Sequence, residues 1–221
     1  MSEQADAVRI AAGRASLDGD LTLPPGARGV VLFAHGSGSS RHSSRNRYVA
    51  QELRRSGLGT LLMDLLTSEE EAVDARTGHL RFDIDLLAER LGAATDFLRD
   101  DPRTSRLAVG YFGASTGGGA ALLAAADRPA EVGAVVSRGG RPDLAGAALP
   151  RVQAPTLLIV GGRDEPVIEM NREALAGLRC EKRLEIVPGA THLFEEPGTL
   201  DEVARLAAAW FGRHSGSVAQ V

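Results

Sequence analysis

The fold of this chain is decided by one stretch, LAVGYFGASTGGGAALLAAAD, which occupies residues 107–127. Its first residues, Leu107–Phe112, form a short apolar run of the kind found in strands that are buried on both faces. Its alanine-rich second half predicts a helix over residues 116–126. We therefore predict a strand that turns sharply into a helix, which is the repeating unit of an α/β protein.

The same alternation continues on both sides of this stretch. Further strands are predicted over residues 30–34, 59–63, 132–136, 156–160 and 183–187, and further helices over residues 48–56, 82–98, 169–178 and 200–211. This order predicts a mostly parallel sheet with helices on both faces. Val8–Leu23 is interpreted as an antiparallel edge with turns at Gly13 and at Asp18-Gly19. With 221 residues and no linker, we predict a single domain over residues 1–221.

Composition and charge exclude several classes of partner. A net charge of -4 gives no electrostatic footprint for nucleic acid. No apolar run is long enough to span a bilayer, and the polar start Met1–Asp6 does not resemble a signal peptide. The single cysteine, Cys180, cannot form an internal disulfide. We expect a cytoplasmic protein without a membrane partner, and the sequence leaves a homo-oligomer open.

The junction of strand and helix carries the pattern Gly113-x-Ser115-x-Gly117. Between a buried strand and a helix, this pattern is typical of a nucleophile elbow, which holds its serine in a strained backbone conformation. The small residues on either side of Ser115 allow the strand and the helix to approach closely. The alternative is that Ser115 only caps a glycine-rich helix.

Two further residues complete a catalytic pattern downstream. Asp164 follows the strand that ends at Val160, and His192 follows the strand that ends at Val187. The chain order Ser, Asp, His is that of α/β hydrolases, and all three residues lie at the carboxyl ends of predicted parallel strands. Alone, each would be a turn or loop residue. Together they predict a triad.

From the loop His35–Gly38 through Ser115 to Asp164 and His192, the sequence resembles the α/β-hydrolase superfamily, and within it the small dienelactone-hydrolase-like serine hydrolases. The resemblance covers nearly the whole chain. It implies an α/β-hydrolase fold with Ser115 as nucleophile, His192 as base and Asp164 as its partner. Dienelactone hydrolases proper use a cysteine nucleophile, so Ser115 argues against dienelactone as the substrate. Cys180 has no elbow around it and is interpreted as an ordinary thiol.

An oxyanion hole needs two backbone N–H donors aimed at the developing negative charge. By topology we expect them from Thr116, directly after the nucleophile, and from Ser37 in the loop after the first buried strand, with Gly36 as the alternative. The predicted mechanism is acyl transfer through an acyl-enzyme on a small ester or thioester substrate. No metal or organic cofactor is expected.

The pocket is predicted to be open. Residues 137–155, where cap domains of this superfamily are commonly inserted, are too few for a large lid. The irregular connection Asp64–Arg81 is a candidate wall, although a solvated acidic loop is the simpler interpretation. Several arginines near the site could bind a substrate carboxylate, but surface positions are expected for each of them: Arg41, Arg45, Arg47, Arg138 and Arg141.

Nucleotide-binding alternatives fail on particular residues. In the loop after the first buried strand, Arg41 stands where a dinucleotide fingerprint requires its third glycine. A P-loop needs a lysine, and the only lysine, Lys182, lies in a different predicted strand. The five histidines show no paired metal-ligand spacing. A carboxylesterase-type enzyme remains the main prediction. The alternatives are a catalytically silent ligand-binding protein and an acyltransferase or peptidase that uses the same triad.

Overall fold

The computed structural model describes residues 5–214, so residues 1–4 of the polar N-terminal segment lie outside the described part. The strands are β1 Asp6–Ala12, β2 Ala15–Thr22, β3 Gly29–Ala34, β4 Gly59–Met63, β5 Ala108–Ala114, β6 Val132–Arg138, β7 Thr156–Gly161 and β8 Lys182–Val187. The α-helices are α1 Ser44–Arg55, α2 Ser68–Thr77, α3 Ile84–Asp100, α4 Thr116–Asp127, α5 Glu165–Gly177 and α6 Thr199–His214. Short 3₁₀ segments lie at Leu80–Phe82 and Pro142–Arg151.

All eight strands form one sheet in the order β1-β2-β4-β3-β5-β6-β7-β8. Strands β3 to β8 pair in parallel. β1 and β2 form an antiparallel hairpin, and β2 pairs antiparallel with β4. The predicted α/β class and the antiparallel edge are therefore confirmed.

Helices cover both faces of this sheet. Successive residues of a strand point to opposite faces. In β5, Tyr111 packs into the layer that also contains residues of α3 and α4, whereas Phe112 packs into the layer that contains residues of α1 and α6. Both side chains are fully buried. The continuous apolar runs of the sequence are thus explained by burial on two sides.

The predicted turn at Asp18-Gly19 is wrong, because both residues lie inside β2. Gly19 pairs with Val8 on one side and with Met63 on the other. A methyl group at position 19 would come within 3.1 Å of the side chains of Val8 and Leu61. The glycine therefore serves close packing between strands rather than a turn.

Part of the connection Asp64–Arg81 is helical rather than irregular, since it contains α2. The Thr67 side chain accepts a hydrogen bond from the Glu70 backbone N–H, and the Glu70 carboxylate accepts one from the Thr67 N–H. This capping box starts the helix. Asp74 is the one buried residue of α2. Because α2 contributes no apolar face to the core, hydrophobic periodicity gave no sign of it.

The segment between β6 and β7 is short, as expected. Its 3₁₀ residues, Pro142–Arg151, contact α4 and α5, and no cap domain is inserted at this point. Among residues 5–214, none of the helices is both long and apolar enough to span a bilayer.

Candidate active site

Ser115 lies between β5 and α4 with backbone angles φ 51° and ψ -123°. A positive φ is strained for a residue with a side chain, and such strain persists only where surrounding contacts enforce it. The Ser115 N–H donates to the Arg138 carbonyl at 3.3 Å, and the Ser115 carbonyl accepts from the N–H groups of Gly118 at 2.9 Å and Arg141 at 3.0 Å. The residue therefore has the backbone geometry that the elbow pattern predicts.

Glycines on both sides of Ser115 permit this turn. A methyl group at Gly113 would lie 2.4 Å from the Gly117 carbonyl oxygen, and one at Gly117 would lie 2.3 Å from the Ala34 carbonyl oxygen. Since the obstructing atoms belong to the backbone, no side-chain rotation could relieve either contact. The glycine pattern thus reflects direct contact of α4 with β5 and β3.

Asp164 and His192 are joined by a hydrogen bond of 2.6 Å between Asp164 Oδ2 and His192 Nδ1. The Asp164 side chain is 14% exposed and that of His192 is 39% exposed. Asp164 directly precedes α5, and its N–H donates to the Gly161 carbonyl at 3.0 Å. Because Nδ1 is bound to the carboxylate, Nε2 is the ring nitrogen left to exchange protons.

His192 and Ser115 border the same short segment after β6. The Arg138 carbonyl binds the Ser115 N–H, and the next residue, Gly139, has φ +51°. A methyl group at position 139 would lie 3.1 Å from the His192 carbonyl oxygen and 3.6 Å from its Cε1. The structure therefore gathers the three predicted catalytic residues at the carboxyl edge of the sheet, around this segment.

The loop of residues 35–38, called the oxyanion loop below, lies against the elbow. A methyl group at Gly36 would come within 3.0 Å of Ser115 Cβ and 3.8 Å of its Oγ. The Ser37 N–H donates to Thr116 Oγ1 at 3.0 Å. Thr116 is the first residue of α4, so its own N–H has no partner one turn earlier in the helix. Ser37 and Thr116, the two residues expected to supply the donors, are thus adjacent, and the Ser37 N–H is already hydrogen-bonded.

His35 fixes the start of the oxyanion loop. It is 7% exposed, its Nδ1 lies 2.9 Å from the Gly36 carbonyl oxygen, and its Nε2 accepts from the Leu65 N–H at 3.1 Å. Burial lowers the pKa of His35, against the opposing effects of the Gly36 carbonyl and Asp64. A neutral ring suits this place, because an unprotonated Nε2 accepts the hydrogen bond from Leu65 that joins the loop after β3 to the loop after β4.

The arginines near the site are engaged with carboxylates in most cases. Arg41 binds Asp64, Arg45 lies 3.1 Å from Glu195, and Arg141 lies 2.8 Å from Asp143, whereas Arg47 is exposed.

The surface position expected for Arg138 is wrong. Its side chain lies within the α1–α6 layer, where it donates to Asn46 Oδ1 at 3.4 Å and its guanidinium lies 5.8 Å from the centre of the Phe194 ring. Burial, together with the nearby positive charge of Arg45, lowers the pKa of Arg138 to about 10. It therefore stays charged at neutral pH, beneath the loop that carries His192. The buried position of Arg138 could not be predicted from the sequence, because Phe194 is remote in the chain.

A cavity of about 470 Å³ opens beside the oxyanion loop. Ser37 and Thr116 line it on one side, and residues of α2 and the following 3₁₀ segment, among them Glu71 and Arg81, line it on the other. We call it the oxyanion-side cavity. Residues of the connection Asp64–Arg81 therefore form one wall of this cavity, whereas a solvated acidic loop was the simpler interpretation. Among residues 5–214, no group of three or more His, Cys, Asp and Glu side chains is arranged to hold a metal ion.

The sheet order, the helices on both faces and the serine turn at the carboxyl edge define the fold of an α/β hydrolase. Residues 17–213 match the model of the Dienelactone hydrolase family, and the chain belongs to that family.

Two solved structures illustrate this relationship. A dienelactone hydrolase from Anabaena variabilis ATCC 29413 is 64% identical, with a TM-score of 0.95 over 97% of this chain and 100% of that chain. An α/β serine hydrolase without a lid from Xanthomonas campestris shares the fold at 21% identity, with a TM-score of 0.77 over 98% of both chains.

Curated sequences from Mycobacterium tuberculosis, strains CDC 1551 and H37Rv, are 60% identical over 207 residues. They carry the provisional name of a phosphoribosyl transferase. The match covers 94% of this chain but only 46% of those proteins, so the chain spans about half the length of the curated relatives.

Proposed function

We propose that the protein is a carboxylesterase-type serine hydrolase that cleaves small esters or thioesters through Ser115, His192 and Asp164. The observation that carries this proposal is the strained Ser115 at φ 51°, at the sheet edge where His192 is hydrogen-bonded to Asp164. A strained serine at the end of a parallel strand and an oriented imidazole are what nucleophilic acyl transfer requires.

In the first half-reaction, Ser115 Oγ attacks the substrate carbonyl carbon while His192 Nε2 takes the hydroxyl proton. Asp164 accepts the Nδ1–H of His192, which fixes the tautomer and stabilises the imidazolium. The bond between the carbonyl carbon and the leaving oxygen or sulfur then breaks. His192 returns its proton to this leaving atom, and the acyl group remains on Ser115.

In the second half-reaction, water attacks the acyl carbon after giving a proton to His192 Nε2. The proton returns to Ser115 Oγ as the bond between this oxygen and the acyl carbon breaks. The products are a carboxylic acid and the free enzyme, and neither half-reaction calls for a metal or organic cofactor.

The oxyanion of both intermediates is assigned to the N–H groups of Thr116 and Ser37. In the free protein the Ser37 N–H donates to Thr116 Oγ1. An arriving oxyanion must therefore share or replace this hydrogen bond. Thr116 acts twice in this arrangement, since its hydroxyl aligns the second donor and its backbone supplies the first.

The name of the mycobacterial relatives suggests a transferase. We propose that any phosphoribosyl transfer by those proteins belongs to the part that this chain does not match. The matched part has the hydrolase fold, with a serine at the carboxyl edge of the sheet. This chain should therefore release no diphosphate from phosphoribosyl diphosphate.

The test is labelling with a fluorophosphonate, mapping of the adduct, and turnover of p-nitrophenyl esters of different acyl length. We expect the adduct on Ser115. Ser115→Ala should lose both labelling and activity, by about 10³-fold or more in kcat. Asp164→Asn should keep the fold but lower kcat about 10³- to 10⁴-fold, because the imidazole loses its preferred tautomer.

The exposed ion pair Asp127–Arg151 provides a matched control. Asp127→Asn should leave labelling and turnover unchanged. A Ser115→Ala variant with full esterase activity would refute the mechanism. Labelling without hydrolysis, together with acyl transfer to added methanol, would favour an acyltransferase, and cleavage of p-nitroanilides in preference to esters would favour a peptidase. Ligand-dependent stabilisation without any labelling of Ser115 would favour a silent binding protein.

A further inference from the structure

The position of the oxyanion-side cavity relative to the triad indicates which part of a substrate it receives. In the sheet, β5 carries Ser115, β3 and β4 lie on one side of it, and β8 lies on the other. The cavity is lined by the oxyanion loop after β3, by Leu65 and Leu66 after β4, and by α2. His192, which follows β8, does not line it. The cavity therefore lies on the side of Ser115 that faces away from the imidazole.

This arrangement separates the two halves of an ester. The leaving oxygen must lie within hydrogen-bond reach of His192 Nε2 to receive its proton. The alcohol half is therefore held beside His192. The acyl half, which stays on Ser115, then extends past the Ser37 and Thr116 donors into the oxyanion-side cavity.

The charged side chains on the far wall of this cavity are Glu71, Asp74 and Arg81. Asp74 and Arg81 bind each other, since the Arg81 Nε donates to the Asp74 carboxylate and its terminal nitrogen donates to the Asp74 carbonyl. Nearby, Arg41 is ion-paired with Asp64. Within residues 5–214, Glu71 forms no ion pair.

Glu71 is solvent-exposed in α2 and lines the cavity. Partial burial of its carboxylate raises the pKa of Glu71, as do the negative charges of Asp64 and Asp74, against the opposing effect of Arg41. Two carboxylates and the Arg41 guanidinium thus act on Glu71, and Arg81 has an atom near the oxyanion loop, 3.7 Å from a methyl group placed at Gly38.

We propose that the oxyanion-side cavity binds the acyl group of the substrate and that Glu71 selects acyl groups with a positive charge at their far end. This inference rests on the proposed function, since it concerns the substrate of the same site. The alcohol half is left without charge selection.

Three p-nitrophenyl esters with acyl groups of matched shape test the charge preference: 4-(trimethylammonio)butanoate, the neutral 5,5-dimethylhexanoate and the anionic 4-sulfobutanoate. We expect kcat/KM to be highest for the cation and lowest for the anion, with about three- to tenfold between cation and neutral ester after correction for their alkaline hydrolysis rates. Added salt should reduce this ratio.

Substitutions assign the preference to one side chain. Glu71→Gln should bring the ratio of cation to neutral ester close to one. Glu69→Gln, on the same helix but outside this cavity, should leave it unchanged. The acetate ester of choline carries its positive charge on the alcohol half, so it and its neutral analogue 3,3-dimethylbutyl acetate should be cleaved at similar rates.

The outcomes separate the two proposals. If Ser115 is labelled and esters are cleaved without regard to acyl charge, the charge selection is wrong and the proposed function stands. A preference for the sulfonate would instead assign the cavity to Arg81 and overturn the inference. A charge preference seen only with the choline ester would place the cavity on the alcohol side. Absence of all esterase activity would refute the proposed function itself.

Discussion

Backbone packs directly on backbone at the turn that carries Ser115, whereas the cavity wall opposite is attached through polar side chains. At the turn, Gly113 and Gly117 leave room for backbone carbonyl groups, and a methyl group on either glycine would occupy the same space. In the wall, α2 buries one residue, Asp74, whose carboxylate accepts from the N–H groups of Leu80 at 2.8 Å and Arg81 at 3.1 Å.

This difference separates the residues proposed for catalysis from those proposed for substrate selection. The proposed nucleophile, Ser115, is positioned by contacts that tolerate no change, because a close-packed interior cannot absorb even one methyl group without strain. Apart from Asp74, the α2 residues of the wall have exposed side chains on a helix outside the core, where substitutions have small effects on stability. Under the proposed function, substrate preference can therefore change through the wall while Ser115, Asp164 and His192 stay in place.

The largest effect is expected from Gly117→Ala, which disrupts the backbone contact. The added methyl group would meet the carbonyl oxygens of Ala34 at 2.3 Å and His35 at 2.6 Å, so α4 must move and Ser115 with it. We expect a loss of about 1–3 kcal/mol in the free energy of unfolding, measured in urea, and slow fluorophosphonate labelling. Gly212→Ala meets no atom within 4 Å and should be neutral or slightly stabilising. Equal effects of the two substitutions would contradict the comparison.

A smaller effect is expected from Asp74→Ala, which detaches the wall. The residues after α2 lose the acceptor of two backbone N–H groups, and Arg81 loses its partner. Hydrogen exchange in α2 should quicken, and KM for long-acyl esters should rise more than KM for acetate esters. Asp127→Ala, which removes only the exposed ion pair with Arg151, should change neither measurement. Unchanged exchange in α2 after Asp74→Ala would show that other contacts hold the wall.

His35 joins the two regions, and its titration should loosen them together. Its pKa is lower in the folded protein than the ordinary value of 6.5, because burial disfavours the charged ring. The unfolded chain therefore takes up the proton first as the pH falls. The stability contributed by neutral His35 is complete above pH 6.5 and is lost as the pH falls through the folded pKa, with a slope of at most about 1.4 kcal/mol per pH unit.

The effect is measured by urea unfolding between about pH 7.5 and 5.0, a range that spans the ordinary histidine pKa of about 6.5. His35→Gln should flatten the curve, since it removes the titrating ring. The variant keeps a hydrogen bond at this place, because a glutamine oxygen can accept from the Leu65 N–H. Some dependence should remain, because burial also lowers the pKa of His214. His42→Gln, at an exposed histidine, should leave the curve as it is. Identical curves for the native protein and His35→Gln would contradict the assignment.

The smallest effect is expected from Thr67→Ala, which removes half of the capping box of α2. Loss of such a cap costs about 1 kcal/mol locally, so the first-turn amides of α2 should exchange faster while global unfolding barely changes. Thr77→Ala, at the other end of the helix, serves as control and should have little effect on these amides. A shift of the global unfolding midpoint by Thr67→Ala would show that α2 belongs to the cooperative core.

The sequence was informative where local pattern and contact coincide. The elbow could be predicted because Gly113, Ser115 and Gly117 are neighbours in the chain, and Asp164 and His192 because each follows a recognisable strand. The helix α2 was missed because it has no apolar face, although Thr67 and Glu70 are spaced as a capping box.

Other features depend on residues that are remote in the chain. The burial of Arg138 follows from Phe194 and Asn46, which lie on other elements. The role of Gly19 follows from the packing of Val8 and Leu61 on strands that pair with β2. The cavity wall forms where α2, a helix that gives no apolar face to the core, lies opposite the oxyanion loop. No single stretch of sequence indicates this arrangement.

The single lysine has a practical consequence for handling the protein. Lys182 begins β8, and its Nζ donates to the Leu178 carbonyl at 2.6 Å. His192 lies beyond the other end of the same strand, whose length is about 17 Å. Through side-chain amines, coupling to a solid support would therefore attach the protein at one point, with the proposed active site turned away from the surface. Once the α-amino group is blocked, such a preparation would have a uniform orientation without an added tag.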